Sequence, residues 1–80
     1  MMISPESYIE KLQDNSYEEL LKVRDRLIRK VRHFEKHKAE IMNQELVIHP
    51  SPDVVYQWNL EALGMLFKLL QEKFNEEYEG

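Results

Sequence analysis

The fold is decided by residues 17–44, which read YEELLKVRDRLIRKVRHFEKHKAEIMNQ. Large apolar side chains recur in seven-residue steps through this stretch, at Leu20, Leu27, Phe34 and Ile41. At about 100° per residue these side chains form one stripe along a helix. No glycine or proline interrupts the stretch. The sequence therefore predicts one long amphipathic helix, on the order of 40 Å in length.

Three places in the 80-residue chain carry the residues that begin helices. Ser4-Pro5-Glu6 and Ser51-Pro52-Asp53 each offer a hydroxyl cap, a proline at the first helical position and an acid near the positive end of the helix dipole. Ser16 and Glu19 have the spacing of a capping box. The sequence predicts a single small domain over residues 1–80, with helices near residues 5–13, 17–44 and 52–77.

The third predicted helix has more apolar surface than one neighbouring helix can cover. One apolar row is spaced for packing against another helix and comprises Tyr56, Leu60, Leu63, Phe67, Leu70, Phe74 and Tyr78. A second row lies beside it, and the whole apolar arc covers roughly 200°, against the ~100° stripe typical of a surface helix. The second row is Val55, Ala62, Leu66 and Leu69, and Trp58 and Met65 extend the arc. We therefore expect an interface with a partner at Trp58, Ala62, Met65, Leu66 and Leu69.

The short connection that contains Pro50 should fold the two long helices back on each other as an antiparallel hairpin. We expect an all-α fold, in which a short N-terminal helix accompanies this long antiparallel helical hairpin. Single domains of this size gain little stability from their own core. The three-helix chain is therefore predicted to pair with a second copy into a dimeric four-helix bundle.

The register of this hairpin predicts a buried ion pair. With equal rise along both helices, Phe34 would face Ala62–Leu63, and Arg24 would lie opposite Glu72, one turn from Glu76. Arg24 falls inside the apolar stripe, where a charge without a partner would cost several kcal/mol. We therefore expect Arg24 to pair with Glu72 or Glu76. The alternative is that Arg24 lies at the edge of the stripe, in contact with water.

Charge is unevenly distributed along the chain. The formal net charge is −4, yet residues 22–38 hold eight of the eleven Lys and Arg residues and only two acids, so this segment carries +6 and the remainder −10. Such asymmetry favours self-association or an acidic protein partner. On the predicted helix, a basic face lies opposite the apolar stripe and comprises Lys22, Arg26, Arg29, Lys30, His33, Lys36 and His37.

A row of cations along a helix can contact the phosphates of a nucleic acid. The negative net charge disfavours nucleic acid as a partner, and the sequence has no helix-turn-helix pattern or zinc module. His33 and His37 have the spacing of two metal ligands on one helix face. Cations surround this pair and the chain has no cysteine, so we expect neither a metal nor a cofactor.

No nucleophile motif and no glycine-rich phosphate loop is present, so we do not expect an enzyme. The sequence favours a non-catalytic protein–protein interaction or structural module that acts as a homodimer. One alternative is a small regulator that contacts nucleic acid through the basic face. Another is a cofactor-free enzyme whose site lies inside the bundle, with Arg24 or Lys38 directed inward.

The apolar runs are short, and the first residues do not have the pattern of a signal peptide. We therefore expect a cytoplasmic protein without a membrane segment.

Overall fold

The chain is all-helical in a computed structural model, which describes residues 3–43 and 51–79. Helix α1 spans Pro5–Glu10, α2 spans Tyr17–Met42 and α3 spans Pro52–Phe74, and a π-helical turn, Asn75–Glu79, continues α3. No strand is present in these two ranges. The all-α prediction with three helices is confirmed. That residues 1–80 form one domain stays a prediction.

Two helices end earlier than the sequence predicts. After α1 the backbone continues in tighter turns, in which Leu12 N–H donates to the Ile9 carbonyl at 3.0 Å and Gln13 N–H to the Glu10 carbonyl at 3.3 Å. At the other end of the chain, α-helical geometry stops at Phe74 and gives way to the π-helical turn. The predicted end of the long helix at residue 44 and the connection through Pro50 lie outside the described residues.

Local side-chain bonds explain where α2 begins. The Ser16 hydroxyl accepts from the Glu19 N–H at 3.3 Å, and the Glu19 carboxylate accepts from the Ser16 N–H at 3.2 Å, so the predicted capping box is confirmed. Two hydrogen bonds with Ser16 lower the pKa of Glu19. The bond with the Ser16 backbone has the larger effect, and the bond with the Ser16 side chain has the next largest. At the start of α3, a hydrogen bond with the Ser51 side chain lowers the pKa of Asp53.

The core lies between α2 and α3, and α1 closes it on one side. Leu20, Ala62 and Leu66 are wholly excluded from solvent. Each buried leucine contributes roughly 1.5–3 kcal/mol of apolar transfer free energy relative to an exposed one. The other buried apolar residues of this core cluster are Ile9, Val23, Leu27, Val31, Leu63, Leu69 and Leu70. One chain thus builds a continuous core from all three helices.

Helix α1 covers the apolar side of α3 for which the sequence predicts a partner surface. The Trp58 indole N–H donates to the Ile3 carbonyl at 2.6 Å, and the Tyr8 ring packs edge-on against the Trp58 ring, with centroids 5.1 Å apart. These contacts hold the start of the chain on α3. The predicted interface is therefore corrected to an intrachain one, in which Ala62, Leu66 and Leu69 are buried and Trp58 and Met65 half-buried.

Helices α2 and α3 pack as an antiparallel hairpin, but their register differs from the predicted one. The Phe34 ring stacks on the Tyr56 ring at a centroid distance of 4.6 Å, whereas the prediction placed it against Ala62–Leu63. The displacement is six to seven residues, or nearly two helical turns. At the other end, the Tyr17 ring lies 5.6 Å from the Phe74 ring. Between these two contacts α2 advances 17 residues and α3 advances 18, so the assumed equal rise holds and the predicted offset between the two helices is wrong.

The predicted ion pair of Arg24 with Glu72 or Glu76 is also wrong. The Arg24 guanidinium bonds the carboxylate of its neighbour Asp25 at 3.0 Å, and 35% of its side chain remains exposed. Glu76 lies 3.9 Å from Lys73 instead, and Glu72 is exposed. With α3 displaced, Arg24 no longer lies level with the acidic end of α3. Its position at the rim of the core avoids the desolvation that a buried pair would require.

Gly64 lies in the middle of α3 on its exposed side, and a Cβ built there meets no atom within 4 Å. Glycine inside a helix costs about 1 kcal/mol relative to alanine. We therefore expect Gly64→Ala to raise the free energy of unfolding by about 1 kcal/mol in urea titrations followed by circular dichroism. A lower stability would show instead that a second backbone approaches α3 at this position.

Candidate interaction surface

The face of α3 turned away from α1 exposes a row of large apolar side chains. Trp58 and Met65 pack toward α1. Leu60 and Phe67 each follow one of these residues by two positions, so they lie about 200° away from them around the helix. Leu60 is 43% exposed and Phe67 is 51% exposed. Phe74, at 39%, continues the row. The row extends over 14 residues, or on the order of 20 Å.

Helix α2 borders this row with half-buried apolar residues. Tyr17, Leu21 and Ile28 recur in steps of four and seven, which places them along one side of α2. Tyr17 contacts the aromatic end of the row, so this side of α2 adjoins it. We call the combined surface the seam, and it consists of Leu21, Ile28, Leu60, Phe67, Phe74 and Tyr78.

The end of the seam near the C-terminus is held by an aromatic cluster. The Tyr17 ring packs edge-on against both Phe74 and Tyr78, at centroid distances of 5.6 and 5.8 Å. The Tyr17 N–H donates to the Glu77 carboxylate at 2.9 Å. This N–H belongs to the first turn of α2 and has no partner within that helix. The π-helical turn is thereby attached to the start of α2, with Tyr78 left 58% exposed.

The opposite end of the seam is held by a single polar bond. The Tyr56 hydroxyl donates to the Glu35 carboxylate at 2.7 Å, while the Tyr56 ring stacks on Phe34. Because the hydrogen bond and the nearby negative charge favour the protonated phenol, they raise the pKa of Tyr56. Helices α2 and α3 are thus fixed to each other at both ends of the seam.

The basic face lies on the exposed side of α2. Six of its seven residues are exposed, and His37 is half-buried. The Arg29 Nε donates to the Asp25 carbonyl at 3.4 Å, and the His37 imidazole lies 3.4 Å from the Glu40 carboxylate. In the described ranges, no other acidic side chain lies within 4 Å of a charged atom of these seven residues. The His33 and His37 rings are 4.8 Å apart.

A cleft of about 500 Å³ opens between α2 and α3 at the end of the hairpin that holds Ile41 and Pro52. Its walls are mainly apolar, and Arg29, Lys30 and His33 lie at its edge. The backbone of α2 departs from helical geometry at His37, with φ −114° and ψ 21°. Sequence reasoning missed this cleft, because the cleft depends on the register of the two helices.

Arg24 and Lys38, the two charges that an enzyme site inside the bundle would use, lie at or near the surface. Asn59 is the one buried polar side chain of the described part of the chain. Arg24 is paired with Asp25, and Lys38 is exposed. Neither provides the inward charge that an enzyme site inside the bundle would require. Across residues 3–43 and 51–79, no three His, Cys, Asp or Glu side chains come together as metal ligands.

No described helix is long and apolar enough to cross a membrane.

No protein-family model, curated protein or solved structure matches this chain. Fold and surface together define it as a three-helix chain whose core is closed by its own first helix and whose hairpin exposes an apolar seam.

Proposed function

We propose that the protein is a non-catalytic protein–protein interaction module that acts as a homodimer and pairs through the seam. The observation that carries this proposal is the row of Leu60, Phe67, Phe74 and Tyr78, large apolar side chains left 39–58% exposed on a chain whose core is otherwise closed. Contiguous exposed apolar surface of this kind marks interaction sites. A cytoplasmic location and a further, acidic protein partner stay predictions from the sequence.

Symmetry favours a second copy as the occupant of the seam. A two-fold axis pairs one patch with the same patch of its partner, which a straight apolar row permits without additional features. Phe67 lies near the middle of the row, so an axis through this point would bring the two Phe67 rings together. The four long helices of two hairpins would then form a four-helix bundle, built on the face away from α1.

Charge favours the antiparallel arrangement of the two copies. The end of the hairpin that holds Tyr17 and Phe74 is acidic, with Glu72, Glu76 and Glu77 on one helix and Glu18 and Glu19 on the other. The opposite end of α2 exposes three cations, Arg32, Lys36 and Lys38, against two acids, Glu35 and Glu40. Antiparallel pairing keeps the two acidic ends apart and places each beside the less acidic end of the partner. Exposed pairs of this kind add little affinity, but they select the orientation.

Sedimentation equilibrium of the full chain tests the proposal. We expect a concentration-dependent mass that rises from 9.7 kDa to twice that value at micromolar concentrations. A constant mass of 9.7 kDa up to millimolar concentration would contradict the homodimer. A mass above twice the chain would contradict closed two-fold pairing.

A second candidate function, nucleic-acid binding, is favoured by one specific observation. The cations Lys22, Arg26, Arg29 and Lys36 project from one exposed side of α2, and none of them forms a salt bridge with an acidic side chain of the described ranges. A regulator of this kind would contact phosphates along one groove edge, and its affinity would fall steeply with salt.

Fluorescence anisotropy with a labelled DNA duplex at low salt tests this candidate. If the basic face binds phosphates, Arg26→Glu should weaken binding several-fold and reduce the salt dependence. Lys68→Glu is the matched control, because it reverses one exposed charge on α3. Equal effects of the two variants, or no binding by the wild type at low salt, would exclude the basic face as a nucleic-acid site.

A further inference from the structure

The cleft between α2 and α3 has the size and wall chemistry of a small-molecule site. Its volume of about 500 Å³ falls within the range common for ligand pockets, roughly 300–1,000 Å³. Phe34 is 8% exposed and stacked on Tyr56, so these two rings make one fixed wall. Ile41 and Val55 extend the apolar lining. A ligand for this space needs an apolar body.

One polar side chain lies within the apolar lining. Asn59 is only 4% exposed. Every fully buried side-chain nitrogen or oxygen of the described residues has a hydrogen-bond partner. Because Asn59 lines the cleft, its remaining exposure is toward that space. A ligand atom in the cleft can therefore form a hydrogen bond with the Asn59 amide.

The rim of the cleft carries positive charge. Arg29, Lys30 and His33 lie along its α2 side. The Arg29 Nε bonds the Asp25 carbonyl, which orients the guanidinium and leaves its terminal amino groups for an anion. Arg29 and His33 are four residues apart, so both reach the same side of a bound group. An apolar cavity with cations at its rim fits a ligand that has an apolar body and a negatively charged end.

We propose that this cleft binds a small organic monoanion, namely a carboxylate attached to an apolar chain. The chain packs on Phe34, Ile41 and Val55, and the carboxylate is bound at the rim by Arg29 and His33. The cleft shares no residue with the seam, so the proposal does not depend on the homodimer.

Calorimetric titration of the full chain with three ten-carbon probes tests the proposal: decanoate, decanol and decyltrimethylammonium. We expect saturable binding of one decanoate per chain, at least about tenfold weaker binding of decanol, and no saturable binding of the cationic probe. Equal affinity for all three probes would show mere apolar adsorption and overturn the proposal. So would the absence of saturation by decanoate below its micellar concentration.

Two matched variants locate the site. Arg29→Gln should weaken decanoate binding about tenfold while leaving decanol unchanged, because only the carboxylate contact is lost. Lys22→Gln removes an exposed cation from the same face of α2, outside the cleft, and should leave both affinities unchanged. Both residues are exposed, so both variants should fold, which circular dichroism checks. An equal loss in the two variants would place the anion elsewhere on the basic face.

Discussion

A Phe67→Glu variant should remain monomeric under conditions in which the wild type dimerises, with self-association weakened at least about a hundredfold. Phe67 lies in the middle of the seam and is 51% exposed in the single chain, so the change should leave the fold intact. In the dimer, the new carboxylate would be desolvated, which costs several kcal/mol. The two-fold axis would also bring two such carboxylates together. Sedimentation equilibrium measures the change.

Val54→Glu is the matched control for this prediction. Val54 is 48% exposed on the same helix but lies on another side, away from the seam. The same negative charge placed there should leave the dimer affinity within about threefold of the wild type, because the altered position remains in water. If both variants weakened association equally, net charge and not the seam would control pairing. A dimeric Phe67→Glu variant would contradict the proposed interface directly.

Leu66→Ala should lower the free energy of unfolding by about 3–5 kcal/mol. Leu66 is wholly excluded from solvent and belongs to the core cluster to which all three helices contribute. Its truncation removes apolar contacts and leaves a cavity that rigid neighbouring helices cannot fill. Urea unfolding, followed by circular dichroism at a concentration where the chain is monomeric, measures the loss. A loss of this size is a large part of the stability expected for a small domain.

Leu60→Ala provides the comparison, since it makes the same substitution two turns earlier on the same helix. Leu60 is 43% exposed, so its truncation should cost the monomer less than about 1 kcal/mol and should instead weaken the dimer. Equal losses of monomer stability at the two positions would contradict the packing of α1 and α2 over α3. A stable Leu66→Ala variant would contradict it as well.

The starts of the helices could be predicted from the sequence because their causes are local. The capping box of Ser16 and Glu19 lies within four residues, and its two bonds form as expected. Proline at the first position of α1 and of α3 acts in the same local way. The seven-residue apolar repeat of α2 likewise needs no distant information, and Leu20, Leu27 and Phe34 are all buried.

The burial of α3 could not be predicted, because it depends on how three elements combine. The row expected to face α2 divides, with Leu63 and Leu70 buried while Leu60 and Phe67 are exposed. The row beside it, for which the sequence predicts a second copy, is covered by α1. That docking depends on the Trp58 bond to the Ile3 carbonyl, a contact between residues 55 positions apart. Helical periodicity shows which side chains are apolar but not which neighbour covers them.

The candidate surfaces were predictable to different degrees. The basic face follows directly from helical spacing, and the structure places it on the exposed side of α2. The Arg24 pair depended on register, and a displacement of nearly two turns is enough to remove it. The cleft depends on the register of α2 and α3, which has no signature in the sequence. Asn59, a polar residue within the apolar arc of α3, was the one available signal.

Disulfide cross-linking of a Phe67→Cys variant tests the central claim, pairing through the seam, most directly. The natural chain contains no cysteine, so any disulfide must join the introduced thiols of two copies. Under mild oxidation at dilute concentration, we predict a cross-linked species of twice 9.7 kDa on a non-reducing gel, with Val54→Cys remaining at 9.7 kDa. Cross-linking of both variants at the same rate, or of neither, would contradict pairing of two copies through the seam.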